Sequence, residues 1–297
     1  MGDGRLKLVL GHLYGDLLNL YADRGNIITL RRRCAWRGID LEVRQIGIGE
    51  DLVPDELDLI FMGGGQDGDQ RLMADDLFTR KAEPLQGALA DGLPMLVVCG
   101  GYQLFGHYYQ PAEGDKLPGL GLFDLHTVHF GAQAPRLIGN VVVEWQAFGA
   151  GAAAPLPQPT AGRSRPQASG LRTQDLGLRT SPIAARRRTL VGFENHGGRT
   201  YLGPGAQPLG RVLSGFGNNG QDGTEGAVVQ NAFGTYLHGS LLPKNPHLAD
   251  HLLQLALQRR YPGEMLAPLD DSLEWLAHQA ALERYAPASS RDMAASG

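Results

Sequence analysis

Short apolar runs that end in glycine clusters recur along the first third of the chain and constrain its fold more than any other feature. They are LKLVL at 6–10, LDLIFM at 57–62 and MLVV at 95–98; GGG follows the second run and CGG the third. Stretches with the apolar spacing of helices, 25–37 and 75–91, lie between them. This alternation is typical of buried parallel strands that are connected by helices. We therefore predict an α/β fold with a mostly parallel sheet.

The second half of the chain has a different pattern. From Leu120 onward, apolar and polar residues alternate with a period nearer two, as in LGLFDLHTVHF and RLIGNVVVEW. This period indicates the strands of a more antiparallel region. Two helices are predicted to follow it, at 247–260 and 270–284.

A segment of low complexity interrupts this region. Residues 147–188 consist mainly of Ala, Gly, Pro, Gln, Ser and Arg, and they carry seven arginines and one aspartate, a net charge of +6. Because a structureless loop of this length is uncommon inside a compact domain, we interpret it as a disordered insertion. The chain is thus predicted to form a single domain over 1–285, interrupted by that insertion, with a flexible tail at 286–297.

Composition argues against several classes of function. The 297 residues carry a formal net charge of −4, so there is no overall basic field of the kind that nucleic-acid binding uses. No stretch approaches the roughly 18 apolar residues of a membrane span. Two cysteines in so long a chain fit a reducing compartment, and Cys34, within LRRRCAWRG, is predicted to pack against the sheet. We expect a cytoplasmic protein that is not an integral membrane protein.

Cys99 stands where a strand changes into a helix. In VCGGYQLFG the apolar run ends at Cys99, two glycines follow, and a helix is predicted next. This is the arrangement of a nucleophile elbow, in which a tight turn exposes the nucleophile and the helix N-terminus favours the thiolate. Spacing alone leaves a second interpretation equally open, a small buried residue of the core, which is a common place for cysteine.

Two further features supply what acyl transfer to a cysteine needs. His238 ends the alternating run AFGTYL, where its ring could reach a neighbouring strand end as a general base. The loop Gly63-Gly64-Gly65 follows a buried strand, and consecutive glycines let backbone N–H groups turn inward to hold an oxyanion. A histidine at a strand end is often structural and a triple glycine is often only a turn. Neither feature is decisive alone.

Four ordered motifs resemble those of a known enzyme family. FMGGGQDGDQ, VCGGYQLFG, VGFENHGGRTYLG and GTYLHGSLLPKNP are similar to the motifs of class I glutamine amidotransferases of the cobyric acid synthase type. With the opening HLYGDLLNLYADRGNIITLRRR, they resemble more closely the glutamine amidotransferase subunits of lipid II isoglutaminyl synthases. The resemblance covers most of residues 6–260 outside the insertion, and it implies a flavodoxin-like sheet flanked by helices.

The resemblance implies roles for individual side chains. Cys99 would attack the side-chain amide of glutamine. His238 would activate the thiol and then protonate the departing ammonia. Arg136, in RLIGNVV, matches the arginine that binds the α-carboxylate of glutamine, a group that suits a bidentate guanidinium. Gln103 would line the same pocket.

The resemblance also implies how the intermediates are held. The backbone N–H groups of Gly64, Gly65 and Gly100 would stabilise the oxyanion. The glutamyl thioester would then be hydrolysed to glutamate.

One departure from the wider class concerns the catalytic histidine. Many class I amidotransferases have a glutamate two residues after it, whereas His238 is followed by Gly and Ser. The acidic group that orients the histidine is therefore missing from its usual place. Glu194, in FENH, is a candidate to replace it.

The overall reaction that the resemblance implies belongs to peptidoglycan synthesis. It is the ATP-dependent amidation of the D-glutamate α-carboxyl group in the lipid II stem peptide, which yields D-isoglutamine at the inner face of the membrane. The P-loop pattern G-x-x-x-x-G-K-[ST] does not occur in the chain. ATP and Mg²⁺ are therefore expected on a Mur-ligase-like partner subunit, which would form a heterodimer with this chain and bind lipid II, and no cofactor or metal is expected here.

Two alternatives stay open at this point. The first is a cobyrinate or cobyrate amidotransferase, although such chains usually carry a synthetase domain before these motifs, which begin here within the first ten residues. The second is a non-catalytic binding module that has kept the fold. The presence of Cys99, His238 and Arg136 argues against the second.

Overall fold

The computed structural model describes residues 5–19, 23–131, 133–145, 188–238 and 241–286. The predicted insertion, apart from its last residue, and the predicted tail, apart from its first, lie outside these ranges. Their disorder stays a prediction, as does the extent of the single domain. In the described part of the chain, no helix is both long and apolar enough to cross a bilayer.

Strands and helices alternate through much of the described chain. The strands are β1 (Lys7–Leu13), β2 (Asp40–Ile46), β3 (Leu59–Met62), β4 (Met95–Val98), β5 (Tyr108–Gln110), β6 (Leu117–Pro118), β7 (Leu125–His129), β8 (Leu137–Trp145), β9 (Thr189–His196), β10 (Gly198–Leu202), β11 (Gly210–Ser214), β12 (Thr224–Glu225), β13 (Ala227–Val229) and β14 (Ala232–Thr235). The α-helices are α1 (Arg24–Trp36), α2 (Asp67–Asp76), α3 (Ala82–Ala90), α4 (Gly100–Phe105), α5 (Leu241–Lys244), α6 (Pro246–Arg260) and α7 (Ser272–Tyr285).

The main sheet has six strands in the order β13-β14-β4-β3-β1-β2. All neighbouring strands in it are parallel except β13 and β14. Every residue of β3 and β4 is buried, which explains why both are continuous apolar runs rather than alternating ones. The predicted α/β fold with an open, mostly parallel sheet is confirmed.

The parallel strands bring several chain segments to one edge of this sheet. The register pairs Leu13 of β1 with Met62 of β3, Met62 with Val97 of β4, and Val98 with Thr235 of β14. The glycine loop therefore leaves β3 beside the cysteine that follows β4, and the histidine that follows β14 lies on the other side of that cysteine. Open α/β sheets bind their ligands at this carboxyl edge.

The second half of the chain forms two smaller sheets. Their strand orders are β10-β7-β5-β6 and β12-β11-β8-β9. All pairs in them are antiparallel except β5 with β7, so the predicted change to antiparallel strands is confirmed. The two predicted C-terminal helices match α6 and α7 to within two residues.

In the first third of the chain, two elements differ from the sequence prediction. The helix predicted at 75–91 begins earlier, at Asp67, and the π-helical segment Leu77–Lys81 divides it into α2 and α3. A capping box between Gln66 and Asp69 starts α2, but the polar first turn hides the helical spacing of apolar residues. Strand β2 was not predicted, because only two of its seven side chains are buried at this edge of the sheet.

A buried ion-pair network holds α1 against the C-terminal helices. The guanidinium of Arg33 is 1% exposed and donates from Nε and Nη2 to Asp250 of α6, both at 2.6 Å, and from Nη1 to Asp271 at 2.7 Å. This network fixes α1 and with it the N-terminus of the helix at the carboxyl edge of the sheet. Cys34 of α1 is fully buried, and burial raises the pKa of its thiol to about 12, which agrees with the predicted core position.

Candidate active site

Cys99 ends β4 in a strained backbone conformation. Its φ of 49° and ψ of −104° lie outside the regions that L-residues normally occupy. Its N–H donates to the carbonyl of Thr235 on β14, and its own carbonyl accepts from the N–H of Gln103 in α4, both at 2.9 Å. Such strain persists only where the surrounding structure enforces it, and it is found mostly at functional sites. The tight strand-to-helix turn that the sequence predicts is therefore present.

His238 lies beside Cys99 at the same edge of the sheet. Its side chain is fully buried, its ring interacts electrostatically with Cys99, and its Nδ1 lies 3.4 Å from Oδ1 of Asp23. Burial acts to lower the pKa of the imidazole. The charge of the Cys99 thiolate, together with the hydrogen bonds and the charge of Asp23, outweighs burial and raises that pKa to about 10. The arrangement favours a charged imidazolium at His238 at neutral pH.

Asp23 lies beside His238 and was not predicted from the sequence. It is fully buried and directly precedes α1. Oδ1 faces His238, and Oδ2 accepts a hydrogen bond of 2.8 Å from the N–H of Gly64. One carboxylate thus holds both the imidazole and the glycine loop. The sequence feature that could have indicated Asp23 is its position between the first strand and the first helix, which places it at the carboxyl edge of a parallel sheet.

Glu194 does not occupy the position that was predicted for it. It is fully buried on β9 and accepts hydrogen bonds from the N–H groups of Phe216 (2.7 Å) and Gly217 (2.8 Å). Its Oε2 lies 3.7 Å from Nε2 of His196. The prediction that Glu194 orients His238 is wrong, because this carboxylate is bound to the loop after β11 and Asp23 stands beside the histidine.

Gly64 is packed between the three groups of the site. A Cβ atom at this position would lie 3.0 Å from Cβ of Cys99, 3.0 Å from Cε1 of His238 and 3.4 Å from Oδ2 of Asp23. Its N–H is already bonded to Asp23, which corrects the prediction that this group holds an oxyanion. Glycine fits this position because a side chain would press on all three groups and force one of them to shift by a few tenths of an ångström.

A pocket of about 390 Å³ opens beside Cys99. Gly65 lines it, and a Cβ atom at Gly100 would lie 3.0 Å from the backbone nitrogen of Gly65. The two other glycines that were predicted to hold an oxyanion therefore have their backbones in contact next to the cysteine. The volume lies near the lower end of the range for small-molecule sites, about 300–1,000 Å³.

Arg136 and Gln103 also line this pocket. Arg136 donates from Nε to the side-chain oxygen of Asn195 (2.9 Å) and from Nη2 to its carbonyl (3.0 Å), which fixes the plane of the exposed guanidinium. Gln103 is buried, donates to the hydroxyl of Tyr236 (3.1 Å) and accepts from Nε2 of Gln70 (3.1 Å). Both predicted residues are thus near Cys99, Arg136 at the exposed side of the pocket and Gln103 inside it.

A buried polar layer beneath the pocket was not predicted. The Tyr236 ring stacks on His196 with centroids 3.6 Å apart, and its hydroxyl is 2.7 Å from that of Thr200. Glu225 accepts the N–H of Tyr236 at 2.7 Å, and burial raises the pKa of this carboxyl to about 8. These contacts fix the end of β14, from which His238 extends.

The sequence profile of the CobB/CobQ-like glutamine amidotransferase domain matches residues 9–246, which include every group of the site described above. The chain belongs to the CobB/CobQ-like glutamine amidotransferase family. The predicted family resemblance is thereby confirmed.

Curated relatives of this amidotransferase cover nearly its whole length. It is 37% identical over 278 residues to the lipid II isoglutaminyl synthase (glutamine-hydrolyzing) subunit GatD of Staphylococcus aureus. The aligned region covers 94% of this chain and 96% of that protein. The subunit of the same name from Streptococcus pneumoniae is 31% identical over 290 residues, 98% of this chain and 95% of the relative. A cobyric acid synthase of Pelotomaculum thermopropionicum is 35% identical over 190 residues, 61% of this chain but 29% of that protein.

The packing around Gly64 of this amidotransferase yields a first prediction. Gly64→Ala should lower glutamine hydrolysis by about 10-fold, because Cys99 or His238 must shift by a few tenths of an ångström to admit the methyl group, and a misplacement of about 1 Å costs about 100-fold. Overpacking should also lower the free energy of unfolding by about 1–3 kcal/mol. Glutamate release and urea denaturation measure the two effects.

Gly87→Ala in α3 is the matched control, since a Cβ atom there meets nothing within 4 Å. It should keep full activity and gain stability, because alanine favours a helix more than glycine does. A Gly64→Ala enzyme with normal activity would contradict the packing described here.

Proposed function

We propose that this amidotransferase is the glutamine-hydrolysing subunit of a lipid II isoglutaminyl synthase. Relatives of that name at 37% and 31% identity align with nearly its whole length. The observation that carries the proposed chemistry is the buried Cys99–His238–Asp23 chain beside a pocket that Arg136 borders. A nucleophile, a base and a group that orients the base are the parts that acyl transfer to cysteine needs.

The first half of the proposed reaction forms a thioester. The Cys99 thiolate attacks the side-chain amide carbon of L-glutamine, so that a C–S bond forms and the carbonyl oxygen becomes an oxyanion. The N–H groups of Gly65 and Gly100 donate to that oxygen. The His238 imidazolium gives its proton to the amide nitrogen, the C–N bond breaks, and ammonia leaves.

The second half hydrolyses the thioester. Neutral His238 takes a proton from water while the water oxygen attacks the thioester carbon. The C–S bond breaks, glutamate and a proton are released, and the thiolate and the imidazolium are restored. Asp23 acts through His238 in both halves, because its carboxylate holds Nδ1 and so directs the other ring nitrogen toward the sulfur.

The fate of the ammonia defines the rest of the proposal. It passes to a Mur-ligase-like partner that binds ATP, Mg²⁺ and lipid II and amidates the D-glutamate α-carboxyl group of the stem peptide to D-isoglutamine. The two chains form a heterodimer in the cytoplasm at the inner face of the membrane. No cofactor or metal is assigned to this chain.

The decisive experiment follows both products. Glutamate release is measured with the full chain alone and after co-purification with the Mur-ligase-like chain. ATP, Mg²⁺ and lipid II are then added, and isoglutamine in lipid II is measured by mass spectrometry. We expect the two chains to co-elute as a heterodimer and to form glutamate and amidated lipid II together.

Other outcomes would overturn particular parts of the proposal. If glutamate formed without amidated lipid II, the proposed glutaminase activity would stand and the proposed lipid substrate would be wrong. Amidation of a cobyrinate instead would favour the cobalamin alternative. If no combination released glutamate, the chain would be a binding module rather than an enzyme.

A further inference from the structure

We infer that Asp67 binds the α-ammonium group of the substrate and makes the pocket selective for an amino acid over an amide that lacks this group. The inference rests on the proposed function, since it concerns the same pocket. It assigns a residue to the one charged group of glutamine for which the site described so far has no partner.

The charges around the pocket carry the argument. Among the described residues that line it, Asp67 is the one carboxylate and Arg136 is the one arginine or lysine. Glutamine presents an amide, which belongs at Cys99, and a carboxylate, which suits a guanidinium. Its ammonium group needs an anion nearby, because a buried or half-buried charge without a partner is costly.

Asp67 is held in a way that suits this task. It is half-buried at the start of α2, two residues after the glycine loop. The phenol of Tyr109 donates to its Oδ1 at 2.8 Å. Burial, with the charge and the hydrogen bond of Asp67, raises the pKa of Tyr109, so this phenol stays a donor and fixes the carboxylate.

The carboxylate of Asp67 still has capacity for a ligand. Within the described ranges of the chain, no lysine, arginine or histidine forms an ion pair with it, and Tyr109 engages only one of its oxygens. A carboxylate oxygen accepts further hydrogen bonds readily, and those from an ammonium group are charge-assisted and strong.

His129 is a third lining residue of the pocket, and both charged groups act on it. Its ring lines the pocket, and burial lowers the pKa of its imidazole. Asp67 acts on the same ring to raise that pKa, while Arg136 and Arg199 act to lower it. Asp67 and Arg136 thus line one pocket and act with opposite sign on one imidazole within it.

A purely structural role for Asp67 would be to stabilise the N-terminus of α2. Asp69 already serves that end, because its Oδ2 accepts the N–H of Gln66 at 3.0 Å in a capping box. The two aspartates lie two residues apart on one helix, and Asp67 lines the pocket. They form a matched pair for an experiment.

The test compares two substrates in the Asp67→Asn enzyme, which retains an acceptor for Tyr109. The substrates are L-glutamine and 4-carbamoylbutanoate, which is glutamine without the α-amino group. We expect the KM for glutamine to rise about 10–100-fold, with kcat within about threefold, as a charge-assisted hydrogen bond of this kind predicts. The kcat/KM for 4-carbamoylbutanoate should be the same in both enzymes. The preparation used is the one, with or without partner, that hydrolyses glutamine.

A binding measurement gives the same comparison without turnover. Titration calorimetry of the Cys99→Ala protein, with and without Asp67→Asn, measures Kd for both ligands. Asp69→Asn is the control, and it should lower stability without changing the preference for glutamine.

Two results would overturn the assignment. If Asp67→Asn weakened the binding of both ligands equally, Asp67 would have a structural role. If glutamine binding were unchanged, Asp67 would have no role in substrate binding. A failure of the proposed function would be seen in a different measurement, the hydrolysis of glutamine by the wild-type enzyme. If the wild-type enzyme does not hydrolyse glutamine, the calorimetric comparison still decides whether Asp67 recognises an ammonium group.

Discussion

Cys99→Ala and Cys99→Gly are both expected to abolish glutamine hydrolysis, with kcat reduced by about 10⁴–10⁶-fold. Each substitution removes the sulfur that would form the thioester, and no neighbouring group replaces it as a nucleophile in the proposed reaction. Glutamate release by the purified complex measures the loss. Normal hydrolysis by either variant would exclude Cys99 as the nucleophile.

The two variants should differ in stability. The φ of 49° and ψ of −104° at Cys99 strain any residue that has a Cβ atom, and such conformations cost about 1–3 kcal/mol. Glycine removes the strain. It also destabilises the folded protein by about 0.5–1 kcal/mol relative to alanine, because its unfolded chain has more conformational freedom to lose. Cys99→Gly should therefore be about 1 kcal/mol more stable than Cys99→Ala.

Urea denaturation of the two variants measures this difference. Cys34→Ala is the control, because this cysteine is buried in α1 away from the pocket. It should lose stability and retain activity. If the alanine variant at position 99 were the more stable of the two, the elbow would carry no strain.

The features that could be predicted from the sequence are local ones. Continuous apolar runs at β3 and β4 indicate strands buried on both faces, and the structure has them so. The turn at Cys99 could be predicted because strand, cysteine, two glycines and helix follow one another directly. Strand β2 was missed because its side chains are mostly exposed or half-buried.

The parts of the site that could not be predicted depend on distant contacts. Asp23 meets His238 across 215 positions of the chain, and no local pattern encodes that contact. Glu194 was chosen because it lies in a motif, but its neighbours depend on how the loop after β11 folds back onto β9. Gly64 was predicted as a site residue, but its predicted role as an oxyanion donor was not correct. Its packing role could not be predicted, because the atoms packed against it come from three separate segments.

Asp23→Asn is expected to lower kcat for glutamine by about 10⁴-fold, the size of effect found when the acidic member of a catalytic triad is changed. The asparagine oxygen can still accept the N–H of Gly64. Its amide nitrogen would then face Nδ1 of His238 and favour the wrong tautomer. KM should change little, because Asp23 does not line the pocket.

Asp58→Asn is the matched control for this variant. Asp58 is also a fully buried carboxylate that accepts a backbone N–H, that of Val9 at 2.7 Å, but it directly precedes β3 and so lies at the opposite edge of the sheet. Its substitution should affect stability and leave kcat unchanged. A structural role for Asp23 would make the two variants behave alike.

The pH profile distinguishes more sharply between an Asp23 that positions His238 and an Asp23 that only supports the fold. His238 must be an imidazolium when the thioester forms, because it protonates the amide nitrogen that leaves as ammonia. Its pKa of about 10 keeps it charged through neutral pH, so activity falls as the pH rises toward that value. The Asp23 carboxylate is one of the groups that raise this pKa. Removing its charge lowers the pKa, so the alkaline limb of kcat/KM should move to lower pH in Asp23→Asn and stay in place in Asp58→Asn. A lower kcat with an unmoved alkaline limb would mean that Asp23 supports the loop at Gly64 and does not act on the histidine.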